Sequence, residues 1–596
     1  MSNAYSRGDF AADRRLIRNS AMAACIGLGS TVAAWALLDL IHLFTNVFFF
    51  QTFSLAARSP GVNTLGPWVI ALPVVGGLIV GLMARFGTDK IRGHGIPEAI
   101  EAILFGKSRM SPKVAVFKPL SSGIVIGSGG PFGAEGPIIM TGGALGSLLG
   151  QYFELSAAER KTLLVAGATA GMTAVFGTPV AAVLLGTELL LFEWRPRSLL
   201  PVAIACAAAA FARPYLLEAG PLFPLHTAAP AGIALVSCIV LGVICGAIAS
   251  VLSHALYRIE DAFHKLPVHW MWWPALGGIA VGIGGYFEPR ALGVGYDVIG
   301  DLLHHNLLLG AVAALLLVKA VIWLIALGSG TSGGVLAPVL MLGAGTGLLL
   351  SPMLPGGEAG LWPLVGMAAM LSATLGTPLT AIVFAFGLTH DSNALLPLLA
   401  ACATAYGFVV LVMPRSIMTE KIARRGRHIY REYSVDPLER HAVGEVMSQD
   451  AVCIDAAVTV DIANRDHFGV TQTRRAYPVV RDGRVLGIVD KPAIDAALRD
   501  PAVGPLATLG TLVAATPLRY ALPDETCRAV AARMVLHGLE RLPVVVGAND
   551  AHLLGIVSRS DLAKPAIVYF HEEETRERLR GAALGPRISL AGKQEG

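Results

Sequence analysis

Apolar residues dominate the first 413 positions in blocks broken by glycine and proline. The blocks lie at about 21–50, 67–86, 113–127, 135–152, 162–175, 178–192, 199–212, 228–257, 271–287, 308–327, 334–351, 360–372, 377–388 and 394–413. A full membrane-spanning helix needs roughly 20 apolar residues, and several of these blocks are shorter. The pattern therefore predicts tilted and half-penetrating helices instead of a simple up-and-down bundle. Short amphipathic stretches at 96–106 and 293–306 complete the set.

After Val412 the pattern changes. Residues 440–566 read as a soluble α/β domain with an internal repeat. Tyr477-Pro478-Val479-Val480 leads through Asp482-Gly483 to Leu486-Gly487-Ile488-Val489. Leu542-Pro543-Val544-Val545 leads through Asn549-Asp550 to Leu554-Gly555-Ile556-Val557. Each copy predicts a strand, a turn and a second strand, preceded by an amphipathic helix near 456–468 or 525–538. The chain divides as 1–20, 21–430, 440–498, 509–568 and a charged tail, 569–596, that reads as partly disordered or helical.

Composition sharpens the membrane reading. Of 596 residues, 54% are hydrophobic and 15% charged, with mean hydropathy +0.62. Soluble domains carry about 25% charged residues. The net charge of +4 gives no footing for a nucleic-acid partner. Seven cysteines, without CxxC spacing, read as buried thiols. Arg14, Arg15 and Arg18 precede a first apolar span too long for a signal peptide. Arg415, Lys421, Arg424, Arg425, Arg427 and Arg431 follow the last one. The positive-inside rule puts both termini in the cytoplasm, which fits the inner membrane of a bacterium.

The densest chemistry lies in Gly127-Ser128-Gly129-Gly130-Pro131-Phe132-Gly133-Ala134-Glu135-Gly136-Pro137. Here one carboxylate, Glu135, sits inside apolar sequence. An ionisable group at membrane depth is costly and marks a pathway or cavity. Glycine and proline break a helix there, and the broken end aims free N–H groups and a positive dipole inward, as an anion site does. The phrase recurs 201 residues later as Gly328-Ser329-Gly330-Thr331-Ser332-Gly333-Gly334-Val335-Leu336-Ala337-Pro338. Phe176-Gly177-Thr178-Pro179 likewise returns as Leu375-Gly376-Thr377-Pro378. Paired interruptions in two halves point to a transporter binding site. A close-packed glycine seam accounts for the glycines but not for the glutamate or the paired prolines.

These residues resemble the CLC chloride channels and transporters over about residues 20–430. The family motifs GSGIP, GREGP and GxFxP stand here as Gly93-His94-Gly95-Ile96-Pro97, Gly133-Ala134-Glu135-Gly136-Pro137 and Gly334-Val335-Leu336-Ala337-Pro338. The resemblance implies an all-helical polytopic membrane domain of two inverted repeats of broken helices. It also implies a homodimer with one pathway per subunit, carrying chloride or another small anion and needing no cofactor. It makes Glu135 the gate, a tethered carboxylate that competes with the anion and is released by protonation. It makes His94, Gly95, Ile96, Gly133, Gly136, Val335 and Leu336 the anion-binding segment, with backbone donors at Val335 and Leu336. The pathway tyrosine of the family falls at Met418, its serine at His94, and the arginine of its second motif at Ala134. Lys118 is expected to add positive potential. Glu188 aligns with the first internal glutamate of the exchangers, and Leu189 with their proton acceptor. Glu193 lies close by as an alternative proton group. Leu189 favours passive conduction over proton exchange. The soluble repeat resembles a CBS pair. Ser558 and Asp561 match its nucleotide signature, whereas Asp490-Lys491-Pro492-Ala493 lacks it. One adenine nucleotide site and a purely structural pair are equally compatible with that.

Two other classes fit less well. A CBS-regulated divalent-cation transporter would line its path with several acidic groups, and here one glutamate stands among helix starts. A membrane serine hydrolase built on Ser329 or Ser332 lacks a histidine partner on a nearby apolar helix. The protein reads as a non-enzyme without a metal site.

Overall fold

The computed structural model describes residues 15–427, 429, 437–469, 472, 474–500, 503–514, 516–565, 567 and 576–577. Arg14 and the rest of residues 1–14, Arg431, and residues 569–575 and 578–596 of the expected tail lie outside the described residues. The chain forms two units, one running to Ile429 and resuming at Arg576, the other between them.

The larger unit is helical. Its helices are α1 (Arg15–Phe50), α2 (Ala71–Phe86), α3 (Ile96–Leu104), α4 (Pro112–Gly127), α5 (Glu135–Tyr152), α6 (Ala157–Phe176), α7 (Pro179–Leu185), α8 (Pro196–Leu216) and α9 (Ala234–His264). They continue as α10 (Trp273–Phe287), α11 (Tyr296–Leu303), α12 (Leu309–Gly328), α13 (Leu336–Leu350), α14 (Leu361–Leu375), α15 (Pro378–Thr389), α16 (Leu395–Val412) and α17 (Ile417–Arg424). Among the described residues, seven helical segments are long and apolar enough to cross a membrane, and others are shorter. Punctuation sets the boundaries. Proline occupies the first turn of α4, α7, α8 and α15, where a missing N–H costs nothing. Gly177 and Gly376 close α6 and α14 in the left-handed conformation.

Several boundaries differ from the hydropathy blocks, most of all in α1, which starts at Arg15 instead of 21, in α6 and in α9. Helix α6 starts at Ala157 instead of 162, because Ser156 and Glu159 form a capping box that carries charged residues into the helix. Helix α9 starts at Ala234 and runs on to His264 through polar positions. Cys25 is exposed, unlike the buried thiol expected of it.

The two halves match helix for helix, α2–α8 against α10–α16. Gly77 of α2 and Gly278 of α10 make the point: a Cβ on either would overlap backbone of the other helix, at Pro274 and Pro73. Gly142 and Gly167 join α5 to α6 in the same reciprocal way, and Gly343 and Gly366 join α13 to α14. Small residues here let backbones touch, which substitutes for the hydrophobic effect inside lipid. Ser128 and Ser329, one in each repeat, donate to the carbonyls of Val125 and Ala326. Ser332 bonds Ser121 and Ser122. These serines are packing groups. A short strand, β1 (Leu155–Ser156), pairs antiparallel with Arg576–Glu577.

The smaller unit holds a five-stranded sheet built from β2 (Ile454–Asp455), β3 (Ala476–Arg481), β4 (Arg484–Asp490), β5 (Arg541–Gly547) and β6 (Asp550–Ser558). Their order is β2-β3-β4-β6-β5, so the two hairpins meet along β4 and β6. The expected helices are Val460–His467 and Cys527–Leu536. The cores cross the sequence boundary between copies. Leu509 and Val513 complete the core of the first copy around Val479 and Val489, and Val443 and Val446 complete that of the second around Val544 and Val557. The divisions 440–498 and 509–568 therefore describe sequence repeats, and each core borrows from the other.

Candidate functional site

Helices α3, α5 and α13 begin at one point. Gly133 and Gly334, equivalent in the repeat, form an antiparallel bridge in which the Gly334 N–H donates to the Gly133 carbonyl at 3.1 Å. A Cβ on Gly136 would run into the His94 carbonyl and Gly334 Cα. Gly95 has φ +91°, and a Cβ there would strike the Gly136 carbonyl. Only glycine satisfies both demands at Gly95.

Glu135 opens α5 and is fully buried. Its Oε1 accepts the N–H groups of Leu336 at 2.5 Å and Ala337 at 3.2 Å. Its Oε2 has no partner among the described residues. A carboxylate of the first repeat thus occupies the positive end of a helix in the second. The donors are shifted by one from the expected Val335 and Leu336. Val335 is the cap, α13 starts at Leu336, and the first free N–H groups along the axis belong to Leu336 and Ala337.

His94 is 3% exposed, and its Nδ1 has no partner among the described residues. Ile96 follows it, buried, at the start of α3. Glu98 accepts the Gly95 N–H at 2.9 Å and pairs with Lys421 of α17 at 2.7 Å. Met418 is buried in the first turn of α17. Lys118, expected to add potential, is seen in a structural role: its Nζ donates to the carbonyls of Ile91 and Gly93 at 2.8 and 2.9 Å, fastening the turn before α3. Lys319 does the same for α11, donating to Ala291 and Gly293 at 2.9 and 3.0 Å. The sequence reading missed Lys319, although it stands 201 residues after Lys118, the offset of the motif itself. It also missed Tyr296, the counterpart of Ile96. The Tyr296 hydroxyl is buried without a partner among the described residues, and its ring meets Phe176 edge-on at 6.1 Å. Replacing Lys319 by Met strands two buried carbonyls, so detergent-solubilised protein should lose about 2–4 kcal/mol of stability. A thermal melt measures this.

The other acidic residues that the sequence singled out are occupied. Glu188 lies in a π-helical turn, Gly186–Leu191. Its carboxylate accepts the N–H of Leu379 at 3.3 Å, and the N–H and hydroxyl of Thr380 at 2.8 and 2.6 Å. Glu188 therefore caps α15. Leu189 is fully buried in apolar surroundings. Glu193 pairs with Lys161 at 3.3 Å and accepts the Ser198 hydroxyl at 2.7 Å. In the smaller unit, Ser558 and Asp561 satisfy each other in a capping box, and Asp561 also pairs with Lys564 at 2.7 Å. Burial pushes the Asp561 carboxyl upward, but Lys564 and Ser558 outweigh it and hold it below the usual carboxylate range.

Comparison with known proteins identifies the family. A profile described as "Voltage gated chloride channel" matches residues 76–410, and a CBS domain profile matches 512–566. The voltage-gated ClC-type chloride channel ClcB of Citrobacter koseri is 29% identical over 376 residues, 61% of this chain and 88% of its own. The H⁺/Cl⁻ exchange transporter ClcA of Salmonella arizonae is 28% identical over 367 residues, 57% of this chain and 75% of its own. Among solved structures, a slow cyanobacterial Cl⁻/H⁺ antiporter superposes with a TM-score of 0.62 at 22% identity, covering 68% of this chain and 98% of that one.

Proposed function

The chain belongs to the voltage-gated chloride channel family, and from that premise we propose that this integral membrane anion transporter is a passive chloride channel gated by Glu135. The observation that carries the reading is Glu135 Oε1 bound to the Leu336 and Ala337 N–H groups. A carboxylate oxygen held by two backbone donors at a helix start stands where a chloride ion would be bound. Gly95, Ile96, Gly133, Gly136, Leu336 and Ala337 then line the binding segment, with His94 donating from its ring and Met418 at the inner end. Protonation of Glu135 weakens its hold on both donors and frees them for the anion.

Three features support conduction over exchange. Leu189 carries no proton, Glu188 is bound by three donors, and Glu193 is ion-paired. By the same reading the protein is a homodimer in a bacterial inner membrane, with cytoplasmic termini, and the CBS pair is structural. Because Ser558 and Asp561 are spent on each other, added ATP or AMP should leave the melting temperature unchanged; a rise would mark a nucleotide site.

The test uses protein reconstituted in liposomes loaded with potassium chloride. Chloride efflux is recorded with and without a potassium ionophore, alongside external pH. The expected result is efflux that needs the ionophore and takes up no protons. Uphill proton movement driven by a chloride gradient would overturn the channel reading in favour of a proton-coupled exchanger.

A further inference from the structure

Arg92 stands immediately before the Gly93-His94-Gly95 turn. With Glu98, Glu101, Lys421, Arg424 and Arg425 it lines a cavity of about 830 Å³ in the membrane unit. The α17-side cations there are already paired. Lys421 holds Glu98 at 2.7 Å, Arg424 holds Asp261 at 2.5 Å, and Arg425 and Arg427 both hold Glu101. Arg92 has no carboxylate within ion-pair distance among the described residues, and its Nε is buried without a hydrogen-bond partner.

Its placement is nonetheless firm. The guanidinium lies over Trp270, 4.5 Å from the ring centre, and 5.7 Å from that of Trp273. Lys118 fastens the carbonyls of Ile91 and Gly93, the residues on either side. Gly330 leaves room for the head group: a Cβ there would sit 3.0 Å from Nη2. Two indoles thus pack against the guanidinium, and its Nε donor is left unsatisfied among the described residues. A buried donor without a partner is expensive. A guanidinium held against indoles with a buried donor unspent is built to receive an anion. The equivalent residue in the second repeat is Leu292, so this charge exists on one side of the pathway only.

We propose that Arg92 binds the transported anion in this cavity, one step before the turn that carries His94. Lys421, Arg424, Arg425 and Arg427 are already matched by carboxylates in this cavity, so the ligand that a single guanidinium balances is a small monovalent anion such as chloride or bromide. The site rests on the anion-transport reading above.

The probe is bromide, which quenches indole fluorescence on contact, applied to the full-length protein in detergent. The difference between wild type and Trp270→Phe should contain a saturable component. Arg92→Gln should raise its half-saturation about tenfold or leave only linear quenching, whereas Arg92→Lys should keep it. In liposomes, Arg92→Gln should raise the half-saturating chloride from one face only, with maximal flux unchanged. Linear quenching in the wild type, or the same saturation in Arg92→Gln, would overturn the site. So would a lower maximal flux with no change in half-saturation. Displacement of bromide by ATP at lower concentration than by chloride would overturn the monovalent assignment. Flux without saturable quenching sinks the Arg92 site alone, while saturable quenching without flux sinks the transport reading and leaves the site standing.

Discussion

Glu135→Gln should raise chloride efflux at neutral pH by up to about a hundredfold and erase its pH dependence. In the wild type a charged oxygen accepts two backbone N–H bonds at the start of α13. Hydrogen bonds to a charged group are worth about 1.5–3 kcal/mol and neutral ones about 0.5–1.5. The substitution therefore weakens the closed arrangement by about 2–3 kcal/mol, or up to about two decades in the closed-to-open ratio. The pH dependence follows in sign. Acid neutralises Glu135, the closed arrangement loses its charge, and wild-type efflux should rise as pH falls. Glutamine does not titrate, so the variant should be fast and flat across the same range. Its volume matches that of glutamate, which keeps the tight contacts among Gly95, Gly136 and Gly334 intact. Efflux that is unchanged, or that keeps its acid activation, would remove Glu135 from the gate.

Much of this centre was legible in the chain because it is written twice. Gly133 and Gly334 sit at one offset, and so do Ser128 and Ser329. The structure brings the first pair into a bridge and gives each serine its own helix-end carbonyl. What stayed hidden depends on which atoms meet across the repeats. Whether Val335 or Ala337 donates turns on where α13 begins, and a one-residue boundary is beyond hydropathy. Lys319 lies in an apolar helix, where a lone lysine reads as snorkelling; only the offset to Lys118 betrays its role. The start of α6 was written in Ser156 and Glu159, a capping signature masked by charged neighbours. The exchange of Leu509 and Val513 against Val443 and Val446 left no local trace, because each segment suits either core in composition.

Glu188→Gln separates two roles that the sequence alone left open. As a proton carrier, Glu188 would tolerate the amide structurally and lose only proton coupling. As the cap of α15, it cannot. The N–H of Thr380 and the Thr380 hydroxyl both donate to Oε2, and the Leu379 N–H donates to Oε1. A glutamine amide can turn its oxygen toward one edge only, so its NH₂ must face at least one buried donor. Each stranded donor costs about 1–3 kcal/mol, and the start of α15 is repelled instead of capped. The expected outcome is a fall in thermal stability of about 2–4 kcal/mol, with chloride flux per folded protein reduced at every pH and no proton movement before or after the change. Glu188→Ala should be at least as damaging, since it removes the acceptor of all three donors. A melt that is unmoved by Glu188→Gln, together with a proton flux that disappears, would reverse the assignment. Leu189 would then lose its weight as the residue that separates conduction from exchange.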